Sequence, residues 1–307
     1  MTSILTNSAA MTALSSLNAT ATKLNSTEQR ISTGLRVNSA QDNAAYWSIA
    51  TTMKSDNSSL STVKDALGLG AAMADVSYTA LNSTIGVVQQ IKDKLVAALQ
   101  PGVDKAKIQA DITQLQSQLK STADSATFSG SNWLSENSAD PGYNANKTIV
   151  SSFQRDSNGI AIQTINFDGN TSKLFDANNQ SGILDKASTT PNGGVSYSVS
   201  TLDISSLTTS SNDTADLTAM IKTVDGALSS MTTSAANLGA MKTRIDSQSS
   251  FITSLMDAIT TGVGTLVDAD MSAESTKLQA LQVQQQLGTQ SLSIANQSSQ
   301  SILSLFK

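Results

Sequence analysis

Asp268, Asp270, Ser272 and Glu274 put an oxygen-bearing side chain at every second position, the spacing at which a calcium loop gathers its ligands. Such a loop also needs a glycine at its sharp turn and a bidentate glutamate at its end. Ala273 and Gln279 stand there instead, so these carboxylates read as favouring the start of a helix through its dipole. Ala66-Leu67-Gly68-Leu69-Gly70 contains a GxG, but a phosphate-binding loop needs a preceding strand and none is predicted. The two glycines read instead as positions of close approach or a bend. The central carboxylates Glu136, Asp140, Asp156, Asp168, Asp176, Asp185 and Asp203 lie mostly in turn contexts. With no histidine and no cysteine, the chain lacks the commonest general base, the commonest metal ligand and any thiolate. No catalytic residue, metal ligand or cofactor site is expected.

The composition points the same way. Aromatic residues make up 4% of the chain and there are only 3 prolines, while Ser, Thr, Ala, Asn and Gln abound. Few bulky groups favour thin helical layers over a thick enzyme core. The formal charge is −5 and the basic residues are scattered, which argues against nucleic acid and anionic membrane as partners. No run of about 18 consecutive apolar residues is present to span a bilayer. Met1 to Ala10 shows no basic segment followed by an apolar one, so no Sec-type signal is expected there.

What the chain does contain is helical seams. Met271, Leu278, Leu281, Gly288, Leu292, Ala295, Ile302 and Phe306 alternate three and four apart, as do Ala10, Leu14, Leu17, Ala21, Leu24, Ile31 and Leu35. Between them, Ser39 and Asp42 form a capping box from which a long helix is predicted. Its seam runs from Ile49 through Leu60, Leu67, Leu81, Val88 and Leu95. From about Ala40 to Leu99, at 1.5 Å per residue, that is roughly 90 Å of rod. Pro101-Gly102 breaks it and Asp104 caps a shorter helix. From Phe128-Ser129-Gly130 to about Asn212 the pattern changes to short alternating runs. Ile160 to Ile165 and Val195 to Val199, with Asp168-Gly169-Asn170 and Asn192-Gly193-Gly194, predict hairpins. Helical seams resume after Asp213 and loosen at Gly262 and Gly264. The expected class is mainly α, a long antiparallel bundle of paired N- and C-terminal regions with a small β-hairpin-containing insertion. The divisions are 1–39, 40–134, 135–212, 213–266 and 267–307. The terminal seams hold too few large apolar side chains to offset the ordering of their own backbone, so the ends are expected to fold only when several molecules bury them together.

Gln29-Arg30-Ile31-Ser32-Thr33-Gly34-Leu35-Arg36-Val37-Asn38-Ser39-Ala40-Gln41-Asp42-Asn43-Ala44-Ala45 resembles the N-terminal signature of bacterial flagellin. Gly288-Thr289-Gln290, Ala295-Asn296-Gln297 and Ile302 to Lys307 resemble its C-terminus. The resemblance covers about 1–134 and 213–307, with a short insertion between. It implies a filament subunit exported through the flagellar type III apparatus, found in the extracellular filament and lacking catalysis. Expected partners are further copies in a helical homopolymer, an export chaperone, and cap and hook-junction proteins. The residues expected at assembly contacts are Leu14, Leu17, Leu24, Arg30, Ile31, Leu35, Arg36, Asp42, Leu278, Leu281, Leu292, Ile302 and Phe306. Positions that face a vertebrate innate receptor in many flagellins fall by resemblance at Gln90, Lys94 and Asp111. Only the acid is retained, so weak activation is expected. The stretch Gln29 to Ala50 resembles the peptide that plant receptors perceive, with Asn43 where an acid is common. Rival readings are a hook–filament junction protein and a secreted enzyme with its activity in the insertion.

Overall fold

The computed structural model describes residues 7–157 and 159–304, with side chains up to residue 298. Five helices dominate: α1 (Ser8–Thr33), α2 (Ala44–Ala97), α3 (Lys105–Ser125), α4 (Ser211–Val267) and α5 (Met271–Ser304). Between α3 and α4 lie the strands β1 (Thr127–Phe128), β2 (Ser131–Asn132), β3 (Ser135–Glu136), β4 (Asn146–Asp156), β5 (Gly159–Asp168), β6 (Phe175–Asp176), β7 (Ser188–Thr189) and β8 (Ser196–Tyr197). The chain divides into two compact units, Met1–Ser58 with Met256–Lys307, and Ser59–Leu255.

The larger unit, Ser59–Leu255, is built on the predicted seams. Leu60, Leu67, Leu81, Val88, Ile91 and Leu95 of α2 are buried, as are Ile112 and Leu119 of α3 and Leu217, Val224, Met231, Leu238, Ile245 and Ile252 of α4. Ion pairs Asp75–Lys242 and Lys92–Asp225 tie α2 to α4. Partners fall along α4 as they rise along α2, so the two run antiparallel. Asp104 caps α3 as expected, accepting from the backbone of Ala106 and Lys107. Ser210 and Asp213 both act at the start of α4. The Ser210 hydroxyl accepts from the Asp213 N–H, and the Asp213 carboxylate accepts from Thr208, which holds its pKa below the usual range. By length and composition α4 is the one helix among the described residues apolar enough to cross a membrane.

The insertion follows a different plan from the predicted one. β4 and β5 form a long antiparallel hairpin whose register shifts at Ser151, a bulge between Val150 and Ser152. Asp168-Gly169-Asn170 is therefore not a hairpin turn. Asp168 caps a single 3-10 turn, Gly169–Thr171, at the end of β5. The Asn192-Gly193-Gly194 turn does join an antiparallel pair, β7 and β8, and β3 pairs with β6 in parallel. Below β6 sits a buried ion pair, Lys173 with Asp176 at 2.6 Å, with side chains 3% and 0% exposed. Burying two charges is costly unless their remaining valences are filled. Asp176 also accepts from the backbone of Ser138 and Asn178 and from the hydroxyls of Ser138 and Ser181. Burial opposes its charge, yet these bonds together hold its pKa well below the carboxylate range.

Three further expectations need correction. α2 begins at Ala44 because Asn43, whose side chain accepts from the Tyr46 N–H, is the true cap. The Ser39–Asp42 box instead closes a turn, with Asp42 accepting from Asn38 and Ser39. Gly262 and Gly264 do not loosen α4, which runs through both to Val267. Of the two glycines in Ala66–Gly70 only Gly70 is a position of close approach. A Cβ there would lie 2.6 Å from the Ile149 side chain of β4, while Gly68 faces open space.

This difference predicts opposite signs for one substitution. Gly68→Ala should raise the thermal stability of the larger unit by about 0.5–1 kcal/mol through helix propensity. Gly70→Ala should lower it by about 1–3 kcal/mol, because β-branched Ile149 must leave its rotamer. Gly70→Ala with Ile149→Ala should recover most of that loss. Paired unfolding curves that move the same way would contradict this account.

Candidate assembly interface

The smaller unit, Met1–Ser58 with Met256–Lys307, places α1 and α5 side by side. Asn7 Nδ2 donates to the Ala295 carbonyl at 3.0 Å, Leu17 Cδ1 lies 3.1 Å from where a Gly288 Cβ would stand, and Arg30 meets Glu274 at 3.0 Å. The helices therefore run antiparallel. Gly288 is a socket into which Leu17 fits; a larger residue there would push the helices apart. Leu24 and Leu281 are buried in the seam, and Leu17, Ile31, Leu278 and Leu292 are half-buried.

At the end of α1 the chain turns at Gly34, whose φ of 71° is readily adopted only by glycine. Arg36 and Val37 then donate to the Val267 carbonyl, and Ala269 donates to Gly34, a short bridge between the two arms of the chain. Val37, Ala50, Val263 and Val267 form a small core there, with Leu35 packed against it. The Arg36 guanidinium donates to the Leu266 carbonyl and lies 6.0 Å over the Tyr46 ring. Arg30 and Glu274 are the charged centre. The Glu274 side chain is 11% exposed. Burial raises its pKa, but the Arg30 hydrogen bond and Lys277 outweigh it and the net shift is downward. Asp42 is held below its usual value chiefly by the backbone N–H groups of Ser39 and Asn38.

Arg30, Arg36 and Asp42 are thus brought together at this junction, each already bonded within the chain. Leu14 stands apart, 48% exposed. The Ile302 side chain and Phe306 lie outside the described residues. In the larger unit Gln90 is exposed, and Lys94 pairs with Asp111 at 2.5 Å, so the retained acid has a partner within the chain. Sequence reading named Leu14 but missed the other exposed apolar residues of these helices. Met11 on α1, and Val283, Leu287 and Ile294 on α5, are exposed with it, the last 66%. Their spacings of three, four and seven were the available signal, hidden because the buried seam on the same helices has the same period.

A helical pair that buries one seam and exposes another defines a self-associating structural subunit. The comparisons agree. A model of the bacterial flagellin N-terminal helical region matches residues 4–139, and one of the C-terminal helical region matches 221–306. Flagellin C of Rhizobium meliloti (strain 1021) is 51% identical over 326 residues, and a flagellin of Brucella melitensis is 47% identical over 308, with all of each chain covered in both cases. The chain belongs to the flagellin family. It is a structural subunit of the bacterial flagellar filament, an extracellular polymer of self-assembling copies, and not an enzyme. The junction-protein and secreted-enzyme readings are not favoured.

Because the folded Glu274 pKa lies below its ordinary value of 4.5, its contribution is complete above that value and is lost as pH falls through the lowered one. Filaments of Glu274→Gln should therefore dissociate more readily than wild type at pH 7. The gap should close on acidification below about 4.5. A gap that is the same at pH 7 and at pH 3, measured by sedimentation, would contradict the assignment.

Proposed function

We propose that the terminal helices of this flagellin acquire stable order only during polymerisation, when neighbouring copies cover the apolar stripe that α1 and α5 leave exposed. The observation carrying this is that stripe: Met11, Leu14, Val283, Leu287 and Ile294 remain exposed after the helices have paired. Burying a Leu, Ile or Met is worth roughly 1.5–3 kcal/mol, so each added neighbour stabilises the pair it covers. Leu17, Leu24, Ile31, Leu278, Leu281 and Leu292 hold the pair together. Leu14, Ile302 and Phe306 contribute to contacts between copies, and Arg30, Leu35, Arg36 and Asp42 set the junction between the terminal pair and the rest. The functional division is 1–39 and 267–307 for the filament core, 40–134 and 213–266 for the supporting helices, and 135–212 for the variable outer segment.

The subunit leaves the cell unfolded by the flagellar type III route, meeting an export chaperone, a hook-junction protein and a cap before it reaches the growing tip. Engagement of the vertebrate innate receptor is weak, a reading supported by Gln90 and by the Lys94–Asp111 pair. Full-strength signalling in a receptor reporter assay would refute that reading. For assembly itself, purified protein added to filament seeds should lengthen them under the electron microscope, and removal of residues 288–307 should abolish growth while leaving the fold of the larger unit intact. Unimpaired growth of the truncated chain would refute the proposal.

A further inference from the structure

In the larger unit, the bulge at Ser151 opens a groove between the β4–β5 hairpin and α4. It is lined by Ser151, Gln163, Thr164 and Ile165 on the hairpin and by Thr243, Arg244, Ser247 and Gln248 on the helix. Its only charged group is Arg244. That guanidinium makes no hydrogen bond or ion pair with any described residue, whereas Lys242 one turn-face away is paired with Asp75. Ser151 is only 7% exposed, and its hydroxyl also lacks a partner among the described residues, as do the side-chain amides of Gln163 and Gln248. The Thr243 and Ser247 hydroxyls spend their protons on their own helix, at Gly239 and Thr243. The groove therefore offers one cation and several neutral donors with no acid to satisfy them. An arginine fork suits a carboxylate.

We propose that this groove is a socket for a carboxylate of a second copy of the chain in the filament, with Arg244 as the pairing group and Ser151, Gln163 and Gln248 as supporting donors. The inference rests on the filament reading, which supplies neighbouring copies. Charge complementarity supports that occupant. Glu28, Asp65 and Asp257 are exposed carboxylates without a partner among the described residues, so each copy has acids to deliver. Pairing at the socket would neutralise a cation on one copy and an acid on the next.

The test uses full-length wild type, Arg244→Ala and Arg244→Lys in seeded elongation, with circular dichroism of the free subunits as a fold control. Arg244→Ala should raise the critical concentration at least about tenfold, the equivalent of about 1.4 kcal/mol. Arg244→Lys filaments treated with a water-soluble carbodiimide should form an amide between the introduced amine and a carboxylate of a neighbouring copy, the lost water being taken up as the carbodiimide becomes a urea. Mass spectrometry of the cross-linked peptide then names the acid. Unchanged elongation of Arg244→Ala, or no cross-link between copies through position 244 in Arg244→Lys filaments, overturns the socket while the filament reading stands. Failure of wild type to elongate overturns both.

Discussion

The surplus of apolar surface on α1 and α5 is the constraint from which the rest follows. One seam on each helix is covered by the other, through Leu24, Leu281 and the Leu17–Gly288 contact. Further apolar side chains on both helices are left exposed among the described residues. A helix pair in this state gains free energy from every copy that joins it, and a free subunit bears the unfavourable exposure alone. Self-association is thus built into the periodicity of the helices rather than into a special binding site. The absence of histidine and cysteine fits such a molecule, whose work is packing and not bond-making.

The two units divide the labour by the kind of interaction each relies on. The larger one holds its core with fully buried leucines and isoleucines from three helices, together with a polar knot in which Asp176 is met by Lys173, Ser138, Asn178 and Ser181. Removing either charge of the pair would leave the other buried and unpaired. The smaller unit has little of this. Its small core at Val37, Ala50, Val263 and Val267 and the Arg30–Glu274 pair fix where α1 and α5 meet, but most of their length depends on a shallow seam. Order there rests on few buried side chains, in keeping with the proposal that these helices become stably ordered on assembly.

Much of this was legible because heptad spacing maps onto burial along most of α2, although Ile49 at the head of the predicted seam is 49% exposed. Leu67, Leu81, Val88 and Leu95 were marked by their intervals alone, and all are buried. Local chemistry decided less well. Ser39 and Asp42 satisfy a capping pattern, yet their bonds close a turn, and the neighbouring Asn43 caps the helix. Strand β4 escaped notice because Lys147, Ser151, Ser152 and Gln154 break its alternation and the bulge shifts its face halfway along. The role of Gly70 could be posed but not assigned, since the approach of Ile149 is a tertiary fact. The groove at Arg244 was equally hidden, because an unpaired arginine and a paired one look alike in a sequence.

Hydrogen exchange read by mass spectrometry, comparing free subunits with filaments, tests the central claim most directly. Amides of 8–33 and 271–304 should exchange almost at once in the free subunit and be strongly protected in the filament, while the core of the larger unit is protected in both. Protection of those two segments already in the free subunit would mean that the helix pair is stable alone, and that neighbours do not supply its order.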